Sequence, residues 1–197
     1  MLVPELADLL RCISRADSIT FDPHKWLSVP MGAGIFLTRH PSILKQTFAV
    51  SAPYIPTSDD DDQVDPYLSS IQWSRRFAGL KVFLSLAVAG WDGYAEAVRH
   101  QVTMGNGLRM KLKSAGWEVV NDPALAVVCF VDGTRHDGHE ADYLEAVAEH
   151  LHASSAAWVS TTAVAGRPVL RACVTNFRTE ERDADALVAA LIDARRS

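Results

Sequence analysis

The chain has 197 residues, 48% of them hydrophobic and 22% charged, with a formal net charge of −5. Such a composition excludes a disordered or fibrous chain and leaves room for a sizeable core. The acidic balance gives no electrostatic footprint for nucleic acid. The three scattered cysteines (Cys12, Cys129 and Cys173) suit reduced cytoplasmic thiols better than a disulfide framework or a zinc site.

In chain order, Leu6, Leu9, Leu10 and Ile13 have helical spacing and predict a helix from Pro4 to about Cys12. Ser18–Phe21 is a short β-prone run that Pro23 ends, and Ile35–Leu37 reads as a second strand after the Gly32-Ala33-Gly34 turn. That glycine turn is no dinucleotide fingerprint, because no helix follows it directly. Pro41–Phe48 predicts a short helix. From Ala49 to Pro66, three prolines and the acidic run Asp59–Asp62 predict a long irregular loop, of the kind that in compact domains carries function or lacks order. Phe77, Leu80, Phe83, Leu84 and Ala87 are helix-spaced and nearly apolar all round, which predicts a buried helix broken at Gly90 and Gly93.

A second long helix is expected from about Tyr94 to Ser114, with Gly116 as its C-terminal cap. Strands are expected at Trp117–Val120, Ala126–Val131, Ala157–Thr162 and Val169–Val174. Helices are expected at Glu140–His152 and Glu180–Ala194, the last capped by Thr179. These make a small α+β layer, a sheet covered by helices. No apolar run reaches the roughly 18 residues a bilayer span requires, and Met1–Glu5 lacks the basic start of a signal peptide. His150 and His152 point to different faces of their helix and Asp137-Gly138-His139 is a turn, so no metal site is expected from the clustered histidines.

The strongest local signal is Ser18-Ile19-Thr20-Phe21-Asp22-Pro23-His24-Lys25-Trp26. A strand delivers Asp22 and Pro23 into a turn that carries Lys25 between two apolar strands, where partial burial is expected. Burial disfavours the ammonium form and makes the amine the nucleophile a Schiff-base lysine must be. His24 and Trp26 can pack against a planar ring. The segment Ala16–Trp26 resembles the lysine motif of the group II pyridoxal-phosphate (PLP) decarboxylases, the relatives of aromatic-L-amino-acid, glutamate and cysteine-sulfinate decarboxylases. Two further stretches are similar to that family in the same order: Gln72-Trp73-Ser74-Arg75-Arg76-Phe77 followed by Leu80-Lys81-Val82, and Val169–Thr179 with its Asn176-Phe177-Arg178-Thr179 ending.

The resemblance implies an α/β fold: the end of a fold-type I PLP-enzyme large domain (residues 1–93) followed by a small α+β C-terminal domain (residues 94–197). It implies pyridoxal 5'-phosphate held covalently by Lys25, with His24 beside the cofactor and Asp22 in its binding site. It also implies Tyr54 as the residue that protonates the carbanionic carbon after carbon dioxide leaves, with Tyr67 as a rival. Arg75 or Arg76, and Asn176 or Arg178, would shape the site. The implied reaction is loss of the α-carboxylate of an L-amino acid, in a homodimer with sites at the interface. An aminotransferase of the same fold and a catalytically inactive truncated module are the rivals. The family's acidic partner for the pyridine nitrogen and its phosphate cradle lie upstream of the lysine, beyond the reach of the 24 residues before Lys25. The chain is therefore expected to be a C-terminal part of the enzyme and, alone, to bind PLP weakly or not at all.

Overall fold

The computed structural model describes residues 2–50, 53–54, 65–135, 139–155 and 157–196. Strands β1 (Ser18–Phe21) and β2 (Ile35–Thr38) form an antiparallel pair in which Ser18 faces Thr38 and Phe21 faces Ile35. A two-stranded sheet covers little surface, and Phe21, Phe36 and Leu37 remain exposed. Ahead of the pair, Pro4–Leu10 and Ile13–Arg15 are 3₁₀ turns rather than the predicted helix, and Leu9, Leu10 and Ile13 stay exposed. This segment is held instead by Val3 and Leu6 against Ala95 and Val98, and by a two-pronged Glu5–Arg99 ion pair. Helix α1 spans Ile43–Phe48, and a 3₁₀ turn covers Pro66–Ser69.

Helix α2 (Ala78–Ser114) is one long element bent at Gly90, whose φ of 65° and ψ of 178° belong to a region that essentially only glycine enters. The predicted break at Gly90 is thus present, but Gly93 lies within the second arm. The first arm is not buried as expected: Leu80, Phe83, Leu84 and Val88 are exposed, and the buried residues of α2 begin only at Tyr94. The kink is the physical reason. It carries Ala78–Ala89 away from the sheet against which the second arm packs, and the small hairpin cannot cover an apolar helix.

The second arm packs against β3 (Trp117–Val119), β4 (Val127–Asp132) and α4 (Glu181–Ala194). With β5 (Ser160–Val164) and β6 (Arg167–Cys173) the strands form an antiparallel sheet in the order β3-β4-β6-β5. Register pairs Val128 with Ala172 and Phe130 with Leu170, so alternate residues point to the face that helices cover. That face meets Leu108 and Leu112 of α2, Leu144, Val147 and Leu151 of α3 (Glu140–Ala153), and Leu187 and Leu191 of α4. Trp117 and Phe130 meet edge to face with ring centroids 5.4 Å apart.

Two local devices fit α2 to the sheet. A Cβ at Gly105 would stand 2.8 Å from Ala126, so only glycine permits this approach. Arg109, nearly buried, donates to the carbonyls of Pro123, Leu125 and Val127 and shapes the entry into β4. Gly116 caps α2 at φ 79°, as predicted. The cap of α4 is shifted one residue from the prediction. Glu180, not Thr179, is the N-cap, because Asp183 falls three residues later and its carboxylate accepts the Glu180 backbone N–H at 2.8 Å. Among the described residues no helix is long and apolar enough to cross a membrane.

Candidate active site

Asp22-Pro23-His24-Lys25 leaves β1 as a tight turn. The Lys25 N–H donates to the Asp22 carbonyl, Ser28 to the Lys25 carbonyl, and Val29 to the Pro23 carbonyl, at 3.0–3.1 Å. Pro23 fixes its own φ and has no N–H to satisfy, which suits its complete burial beneath the turn. The backbone is thereby rigid where the lysine is mounted. His24 Nδ1 donates to the Ala33 carbonyl at 2.7 Å, which closes the turn onto the glycine segment and leaves Nε2 unbonded among the described residues.

The side chain of Lys25 is 61% exposed, contrary to the partial burial expected from the flanking strands. Among the described residues no layer covers the hairpin these strands form, and the Lys25 side chain stays exposed. The Lys25 ammonium pairs with the Asp22 carboxylate at 2.9 Å, three residues back. The hydrogen bond from Lys25 holds the Asp22 carboxyl below the usual carboxylate range, with partial desolvation opposing it. The Lys25 charge also acts on Cys173 at the end of β6. Burial pushes that thiol up, and the charges of Arg171 and Lys25 oppose the rise.

The turn stands between two openings. A cleft of about 960 Å³ is lined by Gly32, Gly34, Gln72, Arg75, Arg76 and Phe77. Gly34 links it to the ion pair, since a Cβ there would sit 3.8 Å from Asp22 Oδ1. A second, mainly apolar pocket of about 460 Å³ lies in the bend of α2 and is lined by Trp26, Leu27, Leu84, Val88, Tyr94 and Phe177. Beside Gly32, on the wall of the first cleft, the Lys81 ammonium donates to the Met31 carbonyl at 2.7 Å.

The structure thus brings Asp22, His24 and Lys25 together and sets Arg75 and Arg76 on the adjoining cleft. Arg75 donates to Ser70 Oγ at 3.4 Å. Asn176 folds the C-terminal segment, its Oδ1 accepting the Arg178 N–H at 2.9 Å. Tyr54 is 78% exposed in a turn and makes no hydrogen bond among the described residues. Tyr67 packs on Trp73, with ring centroids 5.3 Å apart. The acidic run Asp59–Asp62, His136 and the Asp137-Gly138 turn lie outside the described residues.

Two features escaped sequence reading. The Asp22–Lys25 pair was signalled by opposite charges three residues apart in a turn. Gln101 is fully buried and donates to the carbonyls of Trp26 and Thr175. Its signal was a polar residue on the apolar stripe Tyr94, Val98, Gly105, Leu108 and Leu112.

The family described as the pyridoxal-dependent decarboxylase conserved domain matches residues 1–132. The aromatic-L-amino-acid decarboxylase of Bacillus atrophaeus is 33% identical over 181 residues, covering 87% of this chain and 37% of that protein. Tryptophan decarboxylase 1 of Oryza sativa subsp. japonica is 28% identical, covering 91% of this chain and 37% of its own length. The chain therefore spans well under half the length of these relatives. Among solved structures, Oryza sativa TDC with PLP and tryptamine superposes with a TM-score of 0.85 at 24% identity, over 99% of this chain and 42% of that one. Catharanthus roseus tryptophan decarboxylase in complex with L-tryptophan gives 0.80 at 26% identity, over 96% and 41%.

Proposed function

The chain belongs to the pyridoxal-dependent decarboxylase family, and from that premise we propose that it forms the lysine-bearing and C-terminal part of a carboxy-lyase that removes the α-carboxylate of an L-amino acid. Residues 1–93 are read as the end of the PLP-binding large domain and residues 94–197 as the small domain. The helix-covered core, whose α2 residues begin at Tyr94, supports that division. The observation that carries the functional reading is Lys25 on a rigid turn, its amine outward, beside a carboxylate and at the edge of a large cleft.

The donor set fits the anchoring side of pyridoxal phosphate. The Lys25 amine is accessible to an aldehyde, the His24 ring is fixed beside it, and the cleft wall is glycine at Gly32 and Gly34. When bound, the cofactor supplies an electron sink for the electron pair left as the carboxylate departs. This chain's own part is to present and hold. Asp22 keeps the Lys25 amine in place and is the nearest group to take or return its proton. A carboxylate already paired with that amine is a poor neighbour for a phosphate, so Asp22 serves the lysine rather than the phosphate. His24, with Nδ1 committed to Ala33, offers a flat ring and a free Nε2 toward the cofactor side.

Tyr54 is read as the acid that returns a proton to carbon, its free hydroxyl being available for that role. Arg75 or Arg76, and Asn176 or Arg178, shape the cleft and its rim. The working form is read as a cytoplasmic homodimer. The apolar first arm of α2, with Phe83, Leu84 and Val88 exposed, and the three free cysteines support this.

The test uses a full-length protein containing these residues, loaded with pyridoxal phosphate and offered L-amino acids. Carbon dioxide release is expected, with loss of both release and the protein-bound chromophore in Lys25→Ala. Keto-acid formation in its place, or release that survives Lys25→Ala, overturns the reading. The 197 residues alone are expected to bind the cofactor weakly or not at all.

A further inference from the structure

Beyond the lysine turn itself, the structure points to the residue that holds it in register with the C-terminal segment. Gln101 sits on the second arm of α2 and is 0% exposed. Its amide Nε2 donates to the Thr175 carbonyl at 3.1 Å and to the Trp26 carbonyl at 3.4 Å. Trp26 directly follows Lys25, and Thr175 opens the Asn176–Thr179 segment. The sheet's own hydrogen bonding runs out here: Val174 still donates to the Ala126 carbonyl at 2.9 Å, and the next carbonyl has Gln101 as its partner. The neighbouring His100 Nε2 donates to the Thr179 carbonyl at 2.7 Å, so consecutive residues of α2 grip both ends of the segment.

A buried amide is a costly way to fill space. Desolvating it is unfavourable unless its hydrogen bonds are made, and Gln101 Oε1 has no partner among the described residues. An apolar side chain of similar length would fill the stripe between Val98 and Gly105 without that cost. What the amide adds is a shared donor between two carbonyls on separate segments, both of which border the proposed site. We propose that Gln101 is a positioning residue: it couples the Lys25 turn to the Thr175–Thr179 segment and so fixes where the lysine amine is presented. The proposal rests on the reading of Lys25 as the cofactor anchor.

The test is hydrogen exchange on the 197-residue chain with Gln101→Met, which keeps the length of the side chain and removes the donor. Gln101→Glu serves as a second variant of the same shape. Exchange at the Ser28, Val29 and Thr179 amides is expected to rise by about five- to tenfold, the loss of one ordinary hydrogen bond, while the amides of β4 and α3 keep wild-type protection. In parallel, in a full-length protein containing these residues, pyridoxal phosphate followed by borohydride is expected to label Lys25, and the labelling rate read by mass spectrometry to fall in both variants. No change at the two segments overturns the proposal. A uniform rise across the whole chain also overturns it, because that is the signature of a core residue alone. Absence of Lys25 labelling in the wild-type chain and in a full-length protein counts against the decarboxylase reading, while the exchange pattern still decides the coupling.

Discussion

Trp117, Phe130, Leu112 and Leu151 in one region, and Phe83, Val88 and Trp91 in the other, are similar kinds of side chain in opposite surroundings. The first four are at most 2% exposed, whereas the other three are 66–89% exposed. Among the described residues only Val3, Pro23, Val29 and Ala33 of the buried apolar residues precede residue 94. The C-terminal region closes on itself because a four-stranded sheet offers one broad face and three helices are long enough to cover it. Among its described residues the N-terminal region has a hairpin, short 3₁₀ turns, the six-residue α1 and one apolar helix arm, none of which can bury the others. An apolar pattern therefore states what a segment must be buried against, and it does not ensure that the partner lies within the same stretch of chain.

The largest effect that tests this contrast is expected from Phe130→Ala. Removing a fully buried aromatic from the sheet centre costs about 3–5 kcal/mol, and a urea melt of the variant should begin at or near denaturant-free conditions. Asp132→Ala comes next. Its carboxylate, 3% exposed, accepts from Arg195 and Thr134 and from the Tyr143 hydroxyl. Stranding Arg195 and Tyr143 is expected to cost about 3 kcal/mol.

The Asp132 network also carries a pH dependence. Burial alone would push the Asp132 carboxyl up, but the hydrogen bonds from Thr134, Tyr143 and Arg195 outweigh it and hold the carboxyl below its ordinary value. Burial and the Asp132 charge push Tyr143 up to about 12, so it remains a donor throughout the neutral range. A lowered carboxyl contributes stability that is fully present above the unfolded value of about 3.9 and is lost as pH falls through the folded one. Wild type and Asp132→Ala should therefore differ at neutral pH and converge in acid, as read by thermal melts from pH 7 to pH 2. A smaller effect is expected for Gly105→Ala. The added methyl meets Ala126 at 2.8 Å, and forcing α2 off the sheet costs about 1–3 kcal/mol. Smallest of all is Val88→Ser. At 89% exposure it should shift the midpoint by less than about 0.5 kcal/mol, and a larger loss in the 197-residue chain would break the contrast between the two regions.

The placement of the candidate site residues was readable where it depends on neighbours along the chain. Asp22, His24 and Lys25 lie within four consecutive residues, and a β-strand followed two positions on by Pro23 suffices to place them on one turn. Tertiary partners were not readable. The Lys25 exposure depends on there being no layer over a two-stranded hairpin, and the Trp26–Gln101–Thr175 junction joins residues about 75 positions apart. The cap of α4 was off by one residue because Thr179 and Glu180 are both credible caps, and the decision fell to where Asp183 could reach.

By itself, the sequence determined most strands and α-helices, though not the 3₁₀ form of Pro4–Leu10, together with the bend at Gly90 and the lysine motif, since these follow from side-chain period, from the backbone freedom of glycine and from residues in direct succession. Only the tertiary structure decided which apolar faces are covered and which stay open. It also decided that Asp22 pairs with Lys25 and that the buried Gln101 donates to both the Trp26 and the Thr175 carbonyls. Burial and hydrogen-bond satisfaction are properties of what the fold brings together in space, and no local pattern specifies them.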